Sequence, residues 1–296
     1  MRTSAAAQGV LLVLAMAPLG CGSPAAQPEG TTIADVDAAR PDRMAGRGSD
    51  LADPDPDPDP QPADAGAETE PPPPPSCPEQ TRAGDYRTVF DDDLTPLRGV
   101  TQLTGDLKIA NSRTLVDLSA LACLRGIGGN LEISSASRLV SLAGLENLRS
   151  VGGDVLIHFN PELLNLDGFR NLESTGSRFD IDLNGKLQRI TVGRRTRLTN
   201  LFVGSNARLV DLDGLRAITD IDGQLVVRSN AMLSTLRGTE SLRMVGASFG
   251  TQAITSLMIL GNPRLPLCYP EALLRRLLAN GFRGNAEVDG HTGSCP

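Results

Sequence analysis

G-N-L-E-I-S-S-A-S-R-L-V-S-L-A-G-L-E-N-L-R-S-V-G, from Gly129 to Gly152, is followed at once by a second version of itself. Gly153 to Gly176 reads G-D-V-L-I-H-F-N-P-E-L-L-N-L-D-G-F-R-N-L-E-S-T-G. Self-similarity at a fixed period of this length marks a solenoid, in which each unit forms one coil and stacks on the last. One coil cannot bury its apolar side alone, so the chain is read as a stack.

Outward from this pair the coils align. Each opens with two apolar residues two apart: Leu107/Ile109, Leu131/Ile133, Val155/Ile157, Phe179/Ile181, Leu201/Val203, Leu225/Val227 and Leu257/Ile259. Period two with β-branched residues predicts strands, and strands one coil apart run parallel at about 4.8 Å. Three residues after the second strand position stand Ser112, Ala136, Asn160, Asn184, Asn206, Asn230 and Asn262. Asparagines stacked at a coil corner can bond backbone groups of neighbouring coils, so these are read as a structural ladder. Apolar residues then recur every third position, as at Leu139, Leu142, Leu145, Leu148 and Val151. That period is neither helical nor extended and predicts short 3₁₀-like bends. Gly144, Gly168, Gly214 and Gly238 sit mid-way along this side, where a conformation closed to Cβ-bearing residues is expected.

The ends differ. In the first coil, Asp85 to Thr104, Tyr86, Thr88 and Phe90 alternate as strand residues would, and Asp91, Asp92 and Asp93 read as a solvated turn and cap. The coil from Ser177 is short and carries Lys186, Arg189, Arg194, Arg195 and Arg197, read as a solvated edge. Eight residues are inserted between Gly246 and Thr255, which predicts a loop. After Leu265, Leu273, Leu274, Leu277 and Leu278 fall at helical spacing before Asn280-Gly281, predicting an amphipathic helix that caps the core. The fold class expected is mainly β, a leucine-rich solenoid of about seven coils with a short C-terminal capping helix.

The N-terminal part is of another kind. Arg2 precedes an apolar run, Val10 to Ala17, too short to span a bilayer. P-L-G-C, Pro18 to Cys21, resembles a bacterial lipoprotein signal, which implies lipidation of Cys21; Pro18 departs from the usual aliphatic residue there. The rival reading is cleavage after the A-x-A site Ala15 to Ala17. Residues 22–76 hold 12 Asp/Glu against 3 Arg, with P-D-P-D-P-D-P at Pro54 to Pro60 and five prolines at Pro71 to Pro75. Proline resists helix and sheet and the carboxylates repel, so a disordered, extended tether is expected. The chain carries -7 in all, which leaves residues 77–296 with a charge of about +1. A near-neutral domain with no Trp and two Tyr argues against nucleic-acid binding. Of five cysteines, Cys77 and Cys123 bracket the first coils and Cys268 and Cys295 bracket the end, which predicts two disulfides in an oxidising compartment. The organisation expected is a signal peptide at 1–20, a tether at 21–76, a cap and first coil at 77–104, repeats at 105–266 and a helical cap at 267–296.

The pattern L-x-x-L-x-G-L-x-x-L-x-x-V-G-G-x-L-x-I-x-x-N-P-x-L resembles the receptor L-domain family, leucine-rich β-helix-like domains known as ligand-binding lobes of insulin- and EGF-type receptors. It is most similar to bacterial lipoproteins that carry such a domain behind a Pro/Asp-rich tether. The resemblance spans about residues 84–296, and G-N-P-R-L-P-L-C at Gly261 to Cys268 is its most specific part. It implies a right-handed stack, one long parallel sheet, and recognition rather than catalysis. The short coil at Ser177 and the insertion after Gly246 depart from it.

Candidate chemistry is sparse. The two histidines, His158 and His291, have no triad or zinc-type spacing around them, and neither a metal nor a cofactor is implied. Leu156, Phe202, Val226 and Met258 point outward from the sheet, edged by His158, Asp180, Asp182 and Arg228. An exposed apolar patch of this kind marks a contact surface. The function expected is a non-catalytic binding or scaffold module, exported and lipid-anchored to the bacterial cell envelope, with a protein or polysaccharide ligand. The alternative is a polysaccharide lyase or glycosidase using Asp180 and Asp182.

Overall fold

Apolar side chains spaced two apart can share one buried face only if the backbone is extended, and a chain that repeats this every coil places those faces one above another. The computed structural model describes residues 12–13, 77–90, 92–193, 198–246, 255–290, 292 and 295, and shows this arrangement. Strands Tyr86–Val89, Leu107–Ala110, Leu131–Ser134, Val155–His158, Arg178–Asp182, Asn200–Gly204, Leu225–Arg228 and Thr255–Leu260 pair in parallel, each with the next. Ile133 pairs with Ile157, Ile157 with Ile181, and Ile181 with Val203, all fully buried. The protein is therefore a mainly β, parallel-stranded solenoid of about seven coils.

The other side of each coil holds the period-three residues. Leu139, Leu142, Leu145, Leu148 and Val151 are all buried. Three of the predicted bends are 3₁₀ helices, Thr95–Leu97, Ser119–Leu121 and Asp167–Phe169. The side also contains a sheet that the period-three reading did not foresee. Its five two-residue strands, among them Gly126–Ile127, Ser150–Val151 and Ser174–Thr175, stack in parallel, and a further pair joins Asp220–Ile221 to Met244–Val245. Between the sheets, Phe169 meets Phe179 edge-on with ring centroids 5.8 Å apart.

The four mid-side glycines do not share one cause. Gly144 and Gly238 have φ of +109° and +102°, as expected, whereas Gly168 and Gly214 need only space. A Cβ on Gly214 would stand 1.6 Å from the Ile190 carbonyl oxygen of the coil below.

The corner after the main sheet is closed by the asparagines. The side-chain oxygen of Asn184 accepts from the backbone N–H of Asn160 at 3.1 Å, and its amide nitrogen donates to the Ile157 carbonyl at 2.8 Å. Asn206, Asn230 and Asn262 repeat both bonds one coil further on. Asn160 bonds Ala136 N and the Ile133 carbonyl in the same way. All five are fully buried. The residue just before the ladder takes a left-handed backbone in each coil, from Asn111 at φ 56° to Gly261 at φ 60°.

Disulfides close both ends. Cys77 joins Cys123 and Cys268 joins Cys295, with Cα separations of 5.4 and 6.0 Å. The helix Cys268–Ala279 covers the last coil with Leu273, Leu274 and Leu277 buried. Leu278, expected in the core, stands 43% exposed, because the helix turns it past the edge of the stack. The chain then returns to the main sheet as Asn285–Asp289, paired in parallel with Thr255–Leu260. Leu12–Val13, within the apolar N-terminal run, pairs with the outer edge of that strand, giving ten strands among the described residues. Phe90 was expected to alternate inward with Tyr86 and Thr88. It sits instead at the left-handed corner, φ 73°, and is 64% exposed. Asp92 and Asp93 cap turns, accepting from Thr114 N and Thr95 N at 2.8 and 2.9 Å. Cys21, the tether, Asp91, Arg194, Arg195, Arg197, His291 and the eight inserted residues lie outside the described residues. Among the described residues no helix is long and apolar enough to cross a membrane.

Candidate functional site

Because successive strand residues point to opposite faces, the buried doublets force the residues between them outward. Register makes these into two straight columns across the main sheet. One runs Lys108, Glu132, Leu156, Asp180, Phe202, Val226, Met258. The other runs Ala110, Ser134, His158, Asp182, Gly204, Arg228, Leu260.

The columns are cross-linked by charge. Lys108 Nζ lies 2.7 Å from Glu132 Oε2, and Ser134 Oγ donates to Glu132 Oε1 at 2.8 Å. Burial pushes the Glu132 carboxyl up, but the hydrogen bonds from Lys108 and Ser134, with the charges of Lys108 and His158, outweigh it and hold the group below its usual range. Asp180 is gripped by Arg178, and His158 Nε2 stands 3.3 Å from Asp180 Oδ1. The guanidinium of Arg178 also lies 4.3 Å over the Phe202 ring, a cation–π contact. Arg228 reaches across two coil steps to Asp182, Nη2 to Oδ2 at 2.7 Å. Gly204, the residue between them, makes that reach possible, since a Cβ there would stand 2.9 Å from Asp182 Oδ1 and 3.3 Å from Arg228 Cγ.

This alters two of the expectations. Asp180 and Val226 are each only 4% exposed, so they are buried parts of the face and offer no free surface. Asp180 is covered by Arg178 and His158. Leu156, Phe202 and Met258 are half-buried, and the Arg178 guanidinium lies over Phe202. His158, Asp182 and Arg228 do come together as expected. Arg178 was missed, because it precedes the apolar doublet and the alternation gives no hint that its guanidinium folds back over the next coil.

Two polar atoms on this face lack a hydrogen-bond partner. They are His158 Nε2, which sits near Asp180 without hydrogen-bond geometry, and Asp182 Oδ1. His158 and Asp182 are register partners on adjacent strands. The open clefts lined by Asp92, Thr95 and Val116 and by Arg98, Ser119 and Cys123 lie off this sheet.

Residues 79–166 match the family described as Receptor L domain. The match covers the first coils, including the strands of Lys108, Glu132 and His158. Beyond residue 166 the later strands continue the same sheet without a break. No curated protein and no solved structure matches the chain. A receptor L domain is a binding module, and the two disulfides suit an oxidising, extracellular setting.

Proposed function

We propose that the protein is a non-catalytic recognition module that binds a protein or polysaccharide through the outward face of its main sheet, around His158, Asp182, Arg228 and Phe202. The observation that carries this reading is the outward row of half-buried His158, Phe202 and Met258 beside the Arg228–Asp182 pair, held in register by the sheet. The face is straight and wide, which suits an extended ligand. The match to a family of binding domains supports the same reading. Asp180 is already committed to Arg178 and His158 and Asp182 to Arg228, so these two carboxylates are not free for glycoside chemistry.

We further propose that the module is exported and held on the bacterial cell envelope by lipid on Cys21, with residues 22–76 as its stalk. The signal-like segment ending at Cys21 supports this, and mass spectrometry of the mature N-terminus tests it. The binding face is tested by Phe202→Asp and His158→Ala. Each is expected to abolish retention on an array of envelope glycans and proteins while the melting temperature stays near the parent's. Retention unchanged in both variants would remove the face from consideration.

A further inference from the structure

Large apolar side chains left in water are not spread evenly over this solenoid. Of nine exposed among the described residues, six stand on the asparagine corner and the flank just after it: Val116, Phe159, Leu164, Leu183, Val210 and Met232. Phe90 occupies the same corner in the first coil. Val116, Val140 and Leu164 form one column, in which the Val140 N–H donates to the Val116 carbonyl and the Leu164 N–H to the Val140 carbonyl.

Phe159 and Leu183 carry a second cost. Their corner demands a left-handed backbone, φ 56° and 60°, where neighbouring coils use Asn111, Ser135, Ser205, Ser229 and Gly261. A bulky residue there is strained by roughly 1–2 kcal/mol relative to glycine. Two adjacent coils thus accept both backbone strain and an exposed apolar group at one spot. Packing inside the stack explains neither, since both side chains point to solvent, 54% and 40% exposed.

Between the apolar columns runs a line of cations. Two residues beyond the ladder position come Arg138, Glu162, Lys186, Arg208, Met232 and Arg264, four cations with one acid and one apolar residue among them. Lys186 pairs with Glu162 at 2.7 Å, while Arg138, Arg208 and Arg264 are exposed and make no ion pair or side-chain hydrogen bond among the described residues. Of the other acids on the flank, Asp117 and Asp211 are turned to the backbone, accepting from Ser119 N and Asp213 N. From Arg138 to Arg264 the line covers five coil steps, about 24 Å at strand spacing. The strands behind it stay in register, so the tips of these side chains lie along a straight flank.

We propose that this flank is a membrane-contact surface that lies on an anionic lipid bilayer. Apolar tips enter the headgroup layer and the arginines meet lipid phosphates, the same division of labour as in an interfacial helix. A convex corner with protruding Phe and Leu fits a soft planar layer, whereas a peptide would need a groove. The site lies on a different side of the coil from the ligand face, so the two are tested separately.

The sequence has no Trp, so Phe159→Trp in the full chain, with Cys21→Ser to prevent lipidation, gives a single reporter. With phosphatidylglycerol vesicles bearing brominated acyl chains, the emission of the Phe159→Trp indole is expected to shift to the blue and be quenched, while that of Met258→Trp on the ligand face is not. Adding Arg138→Glu and Arg208→Glu is expected to weaken the response by about tenfold or more. An unquenched indole in Phe159→Trp chain that sediments with the vesicles would overturn the proposal, as would equal quenching by neutral phosphatidylcholine. A vesicle-free shift that grows with protein concentration would assign the flank to a second copy instead. If Phe159→Trp does not give the parent circular dichroism spectrum, Leu164→Trp serves in its place.

Discussion

Replacing Asn184 by alanine tests what holds the corners of the solenoid. Asn184 is fully buried, and its side chain accepts from the N–H of Asn160 and donates to the carbonyl of Ile157, a carbonyl that also belongs to the strand ladder. The substitution strands the Asn160 N–H and removes one bond from the Ile157 carbonyl in an interior that water does not reach. An orphaned buried group costs about 1–3 kcal/mol and a lost hydrogen bond about 0.5–1.5 kcal/mol, so the substitution costs about 1.5–4.5 kcal/mol before any cavity is counted. A domain's whole stability is of order 5–15 kcal/mol, so the upper part of that range would leave a large unfolded fraction at room temperature. Urea denaturation followed by circular dichroism measures the change, read at constant m-value so that cooperativity is preserved. Asn184→Ser, with a short hydroxyl like the Ser112 of an earlier coil, is expected to fall between parent and alanine. A loss below about 0.5 kcal/mol for Asn184→Ala would refute the argument, because it would mean that the corner groups find partners without the ladder.

Gly214→Ala forces a Cβ against the Ile190 carbonyl and is expected to destabilise by about 1–3 kcal/mol or more, whereas Gly185→Ala, with nothing within 4 Å, is expected to be neutral or stabilising in the same urea assay. Asp213 is held below the usual carboxylate range by the hydrogen bond from Arg237, against a small opposing effect of burial, and with help from the Arg216 charge. A depressed folded pKa means stability present above the unfolded value, about 3.9, and lost as pH falls through the folded one. The stability gap between parent and Asp213→Asn is therefore expected to close as unfolding is measured from about pH 6 down to about pH 3. Reducing either disulfide releases a constraint worth about 3.5–4 kcal/mol on the loop-entropy account, so calorimetry of Cys268→Ser/Cys295→Ser and of Cys77→Ser/Cys123→Ser is expected to show clear losses in melting temperature.

The main sheet could be read from the chain because its signal is local and repeated: Leu131/Ile133 and Val155/Ile157 each state the same two-residue period. The asparagine ladder was legible for the same reason. The second sheet was not, since strands such as Ser150–Val151 are too short to show any period. The return of Asn285–Asp289 to the main sheet hung on Ala286 and Val288 alone, and it depends on where the helix delivers the chain. On the ligand face, the outward columns followed from alternation, so His158, Asp182 and Arg228 were found. What long side chains do across coils was hidden. The Arg228–Asp182 pair exists because Gly204 leaves a gap between two distant strands, and Arg178 roofs Phe202 from the coil before. Such contacts are set by three-dimensional reach, which spacing along the chain does not encode.

The bond between Cys77 and Cys123 also decides how the stack takes a mechanical load. Tension arriving along the chain at Cys77 passes through sulfur to Cys123, just past the turn Ser119–Leu121, and leaves the loop between them slack. The first windings therefore hang beside the line of force, and the pull is met deeper in the solenoid, where each winding is bonded on both sides. A protein tugged from its N-terminal side would yield in the middle only after its outermost turns had been spared.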